Sequence, residues 1–427
     1  MHKDSNRIIE LKKQYIMPCL YHFYQRPPVM VKGDMQYLYD ADGKQYTDFY
    51  AGVSVMNCGH NNPAIIEPVI QQIRTLQHTT TIYLTEPIAE LAERVVAFMD
   101  SSLKKVFFVN SGTEANEGAL LLSKLYTGKN GFIAFEGGLH GRTSLTMNLT
   151  GIDMWRTDPE IRPNIFFAPH PGRFIREMNN EKRICASLNA IEKILVQHNT
   201  IAACIIEPIQ GNGGIIEAPD TFFVRLKELL ARYGVLLIFD EVQTGFGRTG
   251  EPFYFKHTGI APDILTCAKA LGNGFPIGMF AASDEIAACY TRPGASTTGG
   301  NPVSAAAALA VLSYIEKNSL CGKARQLGEY LKSQLKKLQE QYPVISEVRG
   351  KGLMIGAELS SENVPLTKET DSVLEGLKDN GYLIGKTGIN RNVLTFQPPL
   401  IISKDDIDGL ITALERQLAG LCIPSAL

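Results

Sequence analysis

VLLIFDEVQTGFGRTG, residues 235–250, is the stretch whose reading decides the fold. Five apolar residues run without a break into Asp240, and Gly245, Gly247 and Gly250 keep the following loop close to bare backbone. The same figure recurs along the chain. VFFV (106–109) stops at Asn110, FIAF (132–135) at Glu136, CII (204–206) at Glu207, and ILTCA (264–268) at Lys269. Short apolar runs alternating with helical stretches predict an α/β fold, with a mostly parallel central sheet and crossover helices on its faces. In such a sheet the carboxyl ends of the strands form the ligand crevice. Four of the five polar stops carry groups suited to chemistry.

Working outward, residues 36–50 (QYLYDADGKQYTDFY) predict two aromatic-rich strands around an Asp-Gly turn, after a polar, partly helical lead that ends near Pro27-Pro28. Asn61-Asn62-Pro63 opens an amphipathic helix to about residue 76, and residues 86–99 place Ile88, Leu91, Val95, Val96 and Met99 at helical spacing. Residues 156–182, rich in Pro and Arg, read as a surface excursion, and residues 305–336 as long helices. From residue 344 the pattern is strand (VISEVRG), turn (Lys351-Gly352), strand (LMIGAEL), helix (371–379), strand (393–396) and helix (404–418). That is an α+β unit separate from the first sheet. The expected division is a large domain over residues 61–310 and a smaller α+β domain built from residues 1–60 and 311–427.

At 427 residues the chain exceeds the roughly 250 to 300 residues at which single cores stop growing. Its net charge of -2, with 44% hydrophobic and 20% charged residues, provides no field to recruit nucleic acid or an anionic membrane. The eight cysteines (Cys19, Cys58, Cys185, Cys204, Cys267, Cys289, Cys321, Cys422) show no CxxC spacing, which predicts reduced thiols rather than disulfides or a zinc site, and no metal is expected. The start, MHKDSNRIIELKK, has no apolar signal core and no run reaches the length of a membrane span, so a cytoplasmic protein is expected.

Three of the stops suggest one site. Ser111-Gly112-Thr113 lies where a strand turns into a helix, and the free N–H groups and positive end of such a junction suit a phosphate; a plain N-cap explains the same residues. Asp240, held against an apolar strand end, calls for a cationic partner. Against a pyridine nitrogen it would keep that nitrogen protonated, and Gln243 is placed to donate to the ring hydroxyl. Lys269 opens a glycine-rich turn (Gly272, Asn273, Gly274) that leaves room around its amine, as an imine-forming lysine needs. A phosphate cradle, a carboxylate and a lysine at neighbouring strand ends are the parts that pyridoxal 5′-phosphate (PLP) requires.

Six motifs occur in one order: NSGTEANEGAL (110–120), HGRTSLT (140–146), EPIQGNGG (207–214), FDEVQTGFGRTG (239–250), AKALGNGFPIG (268–278) and STTGGNP (296–302). Together they resemble the class III aminotransferases of PLP fold type I, near the branch of alanine–glyoxylate aminotransferase type two and the ethanolamine-phosphate phospholyases. The resemblance runs from YDADGKQYTDFYAG to PPLII and so covers nearly the whole chain. It implies that Lys269 is the Schiff-base lysine, Asp240 the partner of the pyridine nitrogen and Gln243 the contact to the ring hydroxyl. Ser111, Gly112 and Thr113 would hold the phosphate, with Leu139, His140 and Val242 also around the cofactor. Thr297 would complete the phosphate site from a second subunit, which implies a homodimer with shared active sites.

The chain departs from the family where substrate is read. The arginine that many members carry just before PPL is Thr395 here, and the second glutamate of EPIQGEAG is Asn212. Leu139 stands where an aromatic ring commonly stacks on the cofactor, and Thr298 replaces an aromatic after Thr297. Candidates for reading a substrate anion are Arg142, Lys386 and Arg391, with Thr395 at the substrate wall. His60, His140 and Glu207 read as bonding groups rather than catalysts. Two activities are expected to compete. One is transfer of a small primary amine's nitrogen to an acceptor such as pyruvate or glyoxylate. The other is elimination from a 2-aminoethyl phosphate or phosphonate to give an aldehyde and ammonia. A non-catalytic PLP-fold protein is disfavoured because the lysine, aspartate and phosphate motif are all retained.

Overall fold

In the computed structural model, which describes residues 5–160, 162–173 and 178–421, the apolar runs join into one seven-stranded sheet. Its order is Lys105–Val109, Gly278–Ala282, Ile264–Cys267, Leu236–Asp240, Ile201–Ile206, Gly131–Phe135, Ile165–Ala168. Successive residues of one strand face opposite cores: Leu236 and Ile238 belong to one buried cluster, Leu237 and Phe239 to the other. A sheet covered on both faces needs apolar residues at every position, which is why these runs do not alternate with polar ones. The helix Gly112–Thr127 packs Ala115, Ala119 and Leu120 onto one face. It lies so close that a Cβ at Gly118 would come within 2.2 Å of the Phe280 ring.

Two strands differ from the sequence reading. Gly278–Ala282 lies between Lys105–Val109 and Ile264–Cys267 and runs antiparallel to both, so the sheet is mixed. No helix intervenes after Lys269 beyond the short 3-10 turn Lys269–Leu271, so the chain returns directly alongside the strand it has left. Residues 156–182 are not wholly a surface excursion, because Ile165–Ala168 pairs in parallel with Gly131–Phe135 and forms the sheet edge. A four-residue edge strand, mostly half-buried, carries too little apolar signal to stand out beside Pro163.

A second sheet is antiparallel, in the order Ile345–Lys351, Met354–Ser361, Val393–Phe396, Gly385–Thr387, with helices Leu320–Gln341, Thr367–Asp379 and Lys404–Ala419 around it. A third combines Met30–Asp34, Tyr37–Asp40 and Gln45–Asp48 with Tyr382–Leu383, so strands from the two ends of the chain share one sheet. Among the described residues no helix is long and apolar enough to cross a membrane, and no group of three or more His, Cys, Asp or Glu could hold a metal. Seven cysteines are free thiols, with Cys58, Cys204 and Cys267 buried; Cys422 lies outside the described residues.

Candidate active site

Asp240 ends its strand 4% exposed. Its Oδ2 accepts from Asn116 Nδ2 and pairs with His140 Nδ1, both at 2.8 Å, and its Oδ1 accepts from the Val242 N–H at 3.2 Å. Two donors and the His140 ring nitrogen fix the orientation of the carboxylate. Asn116 also donates to the His140 carbonyl and accepts from Thr266, so it ties the strand end, the HGRT loop and the next strand into one unit. Sequence reasoning missed Asn116. Its signal was a spacing of four from Gly112, which puts both on one face of the same helix.

That helix starts at Gly112 with Ser111 as N-cap, whose Oγ accepts from the Glu114 N–H at 3.2 Å. The cap and anion readings of Ser111 therefore coexist, because the Gly112 and Thr113 N–H groups have no partner inside the helix. A Cβ on Gly112 would lie 2.9 Å from both Val242 methyls, and one on Gly141 would lie 2.7 Å from Thr113 Oγ1. Only bare backbone fits there, which brings the helix end up to the cavity wall.

Lys269 follows the strand Ile264–Cys267 with φ of 49°, a left-handed conformation that a side chain disfavours and that concentrates at functional sites. Among the described residues its amine makes no hydrogen bond or ion pair. Burial pushes it down to about 8, while Glu207 and Asp240 pull it back up. Glu207 accepts from the Leu139 N–H at 2.7 Å and the Gly211 N–H at 3.0 Å, and burial pushes its carboxyl up.

These groups surround one cavity of about 370 Å³ at the carboxyl ends of the strands. Ser111, Gly112, Thr113, Leu139, His140, Arg142, Asp240, Val242, Gln243 and Lys269 all line it. Val55, Asn110, Asn116, Gly141, Glu207, Ala268 and residues 274–277 complete the wall. Arg142 is exposed, and its guanidinium makes no ion pair or hydrogen bond among the described residues. The remaining candidates lie off this lining. Lys386 is paired with Asp371 and does not present its charge to the cavity. Arg391 sits 5.2 Å over the Phe23 ring and donates to the Tyr21 hydroxyl at 3.4 Å. Thr395 is fully buried, with its hydroxyl 2.6 Å from that of Thr387. Thr297 is exposed, on a loop whose neighbours Ser296 and Thr298 both bond Asn110. His60 is paired with Asp48 at 2.7 Å.

A helix end stripped to backbone, an oriented carboxylate and an amine unpaired among the described residues, all around one cavity, fit PLP. A family model described as class-III aminotransferase matches residues 23–418. The chain is similar to the mitochondrial alanine–glyoxylate aminotransferase 2 homolog 2 of Arabidopsis thaliana, at 41% identity over 424 residues, 98% of this chain and 88% of that one. It is 40% identical to the acetylornithine aminotransferase of Methanocaldococcus jannaschii over 418 residues, 96% of this chain and 97% of the relative. Among solved structures, a phospholyase from Arthrobacter in complex with phosphoethanolamine superposes with a TM-score of 0.91 at 30% identity, covering 97% of this chain and 100% of that one. An amine transaminase from an uncultivated Pseudomonas species, in the PLP-bound internal aldimine form, gives 0.89 at 30% identity over 95% and 98%.

Proposed function

Because the chain belongs to the class III aminotransferases, enzymes that depend on PLP, we propose that it transfers the amino group of a small primary amine to pyruvate or glyoxylate. The substrate's amine-bearing carbon is oxidised to a carbonyl and the acceptor's oxo carbon is reduced to an amine. Bound PLP supplies the electron sink for the carbon that loses its proton. The observation that carries this reading is the Lys269 amine, unpaired among the described residues and pushed down to about 8, facing the same cavity as Asp240. A neutral amine near working pH is a nucleophile toward an aldehyde and, once displaced, a base that can take a proton from the substrate's amine-bearing carbon and deliver it two bonds away, on the far side of the nitrogen. Asp240, fixed by Asn116 and His140, holds positive charge at the ring nitrogen. Gly112 and Thr113 hold the phosphate.

A second reading has its own support. Arg142 lines the cavity with no ion-pair partner among the described residues, whereas Thr395, at the family's usual carboxylate-reading position, is turned to Thr387. This arrangement suits a substrate with a distal phosphate or phosphonate and no α-carboxylate, and the Arthrobacter phospholyase shares the fold at a TM-score of 0.91. Elimination would expel the leaving group from the carbon next to the amine-bearing one and end in an aldehyde and ammonia. The two activities separate when the cofactor's absorbance is followed without an oxo acceptor. The substrates are 2-aminoethylphosphonate, its 1-hydroxy derivative, phosphoethanolamine, β-alanine and alanine. Stoichiometric conversion to pyridoxamine phosphate with no ammonia is the expected result. Catalytic ammonia release with the cofactor unchanged replaces transfer by elimination. Unpaired thiols and a modest net charge fit a cytoplasmic protein. Exposed Thr297 and the exposed apolar run Ile82, Tyr83 and Leu84 fit a homodimer with shared sites.

A further inference from the structure

Gln243 lines the cavity, but one end of its amide is already occupied. Its Oε1 accepts from Gln397 Nε2 at 3.1 Å, and both side chains are buried, 8% and 1% exposed. Gln397 does not line the cavity and is itself held in place. It follows the strand Val393–Phe396, and its N–H donates to the Phe49 carbonyl at 2.7 Å. The next residue, Pro398, gives its carbonyl to the fully buried Arg248 at 2.6 Å. Below the Gln243 amide lies Gly211, where a Cβ would come within 2.3 Å of Nε2 and 2.5 Å of Oε1. The amide is therefore pressed flat on backbone and tied at its oxygen, and its NH2 is the end left to serve the cavity.

We infer that Gln397 is a positioning residue for cofactor binding: it spends the oxygen of Gln243 and so holds the Gln243 NH2 toward the cofactor's ring oxygen. The inference rests on Gln243 contacting that oxygen, as the proposed function has it. An amide rotated by half a turn would present its own oxygen to an oxygen that carries negative charge, replacing an attraction by a repulsion. Rotation costs nothing in volume, so before the cofactor binds it is the hydrogen-bonding partner at the far end that selects between the two states. Gln397 is that partner.

Two substitutions separate selection from simple packing. Gln397→Met keeps the bulk and removes the donor. Gln397→Glu puts a pure acceptor there, which draws the Gln243 NH2 away from the cavity and turns its oxygen inward. Two readouts apply: PLP affinity of the apoprotein by fluorescence titration, and the pH midpoint of the bound cofactor's visible absorbance. The cavity's other charged groups, Lys269, Asp240, Glu207 and Arg142, stay as they are. Gln397→Met is expected to weaken PLP about fivefold. Gln397→Glu should weaken it further and raise the midpoint, because a ring oxygen that has lost its donor holds its shared proton more tightly. Gln243→Leu is the reference. If Gln243→Leu moves both readouts and neither Gln397 variant does, the positioning role is overturned. If Gln243→Leu moves neither, the contact to the ring oxygen falls and the inference with it. Should Gln397→Glu fail to fold, as judged by far-ultraviolet circular dichroism, Gln397→Met decides alone.

Discussion

Lys269 carries two kinds of stress at once, a left-handed backbone and a buried amine pushed down to about 8. The backbone turn aims the side chain into the cavity, and burial raises the share of neutral amine near neutral pH above that of an ordinary lysine. An ammonium cannot attack an aldehyde, so the rate at which the apoprotein captures PLP should rise with pH up to about 8 and then level off; stopped-flow absorbance reads this directly. Glu207→Gln removes the stronger of the two charges that favour the ammonium, so the plateau should begin at lower pH. A profile unchanged or moved to higher pH would refute that assignment. The stability effect runs the same way. The unfolded chain binds this proton up to the ordinary lysine value and the folded chain only to about 8, so between the two the amine's penalty on folding shrinks as pH rises. What Asn116 and Gln397 bind was not legible in the sequence, since each acts on a residue more than a hundred positions away: Asn116 on Asp240 and Gln397 on Gln243.

At the scale of elements, the segment Ala51–Ser54 is a turn of left-handed helix, with φ of 48°, 61°, 68° and 59°, closed by the bond from the Val55 N–H to the Ala51 carbonyl. Such a turn costs about 1–2 kcal/mol for each residue with a side chain. What holds it is Asp48, 2% exposed, whose Oδ1 accepts from the Tyr50 and Ala51 N–H groups at 2.8 Å while its Oδ2 is bound to His60. The turn delivers Val55 to the cavity wall. Asp48→Ala should therefore destabilise the fold by about 2–3 kcal/mol in urea unfolding. Val53→Gly in that background should recover part of the loss, because glycine adopts this conformation without strain. A single substitution that costs less than about 0.5 kcal/mol would show that the clamp is not needed. Nothing local in YAGVSVMN announces a left-handed turn. Alanine, valine and serine disfavour it, and it exists because Asp48 and His60 meet there.

Across the whole molecule, Arg248 joins three distant parts of the chain. It is fully buried, donates to the carbonyls of Leu353 and Pro398 and to the Asn57 side chain, and burial pushes it down to about 9. The loop after Asp240 is thereby tied to both the N-terminal and C-terminal segments. The proposed dimer belongs to this scale too. If Thr297 serves the partner's cofactor, Lys269→Ala and Thr297→Val should complement each other. A heterodimer of the two has one site with its own Lys269 and an intact partner Thr297. Mixing under conditions that exchange subunits, at limiting PLP, should restore roughly a quarter of wild-type activity. No recovery would place Thr297 in its own subunit's site or in neither.

Unbroken apolar runs ending in Asn110, Glu207, Asp240 and Lys269 were enough to determine a sheet covered on both faces with its polar stops at one edge, because burial on both sides leaves its mark at every position of a strand. The ordered motifs were enough to determine the family and its cofactor. The antiparallel strand Gly278–Ala282 and the edge strand Ile165–Ala168 were decided only by tertiary pairing, since strand direction and edge position leave no pattern in a run of four or five residues. The same holds for the substrate-reading cations. Arg142, Lys386 and Arg391 look alike as letters, and only the folded chain shows Lys386 bound to Asp371, Arg391 laid over Phe23 and Arg142 at the cavity with no partner among the described residues, because an ion pair depends on distance in space rather than along the chain.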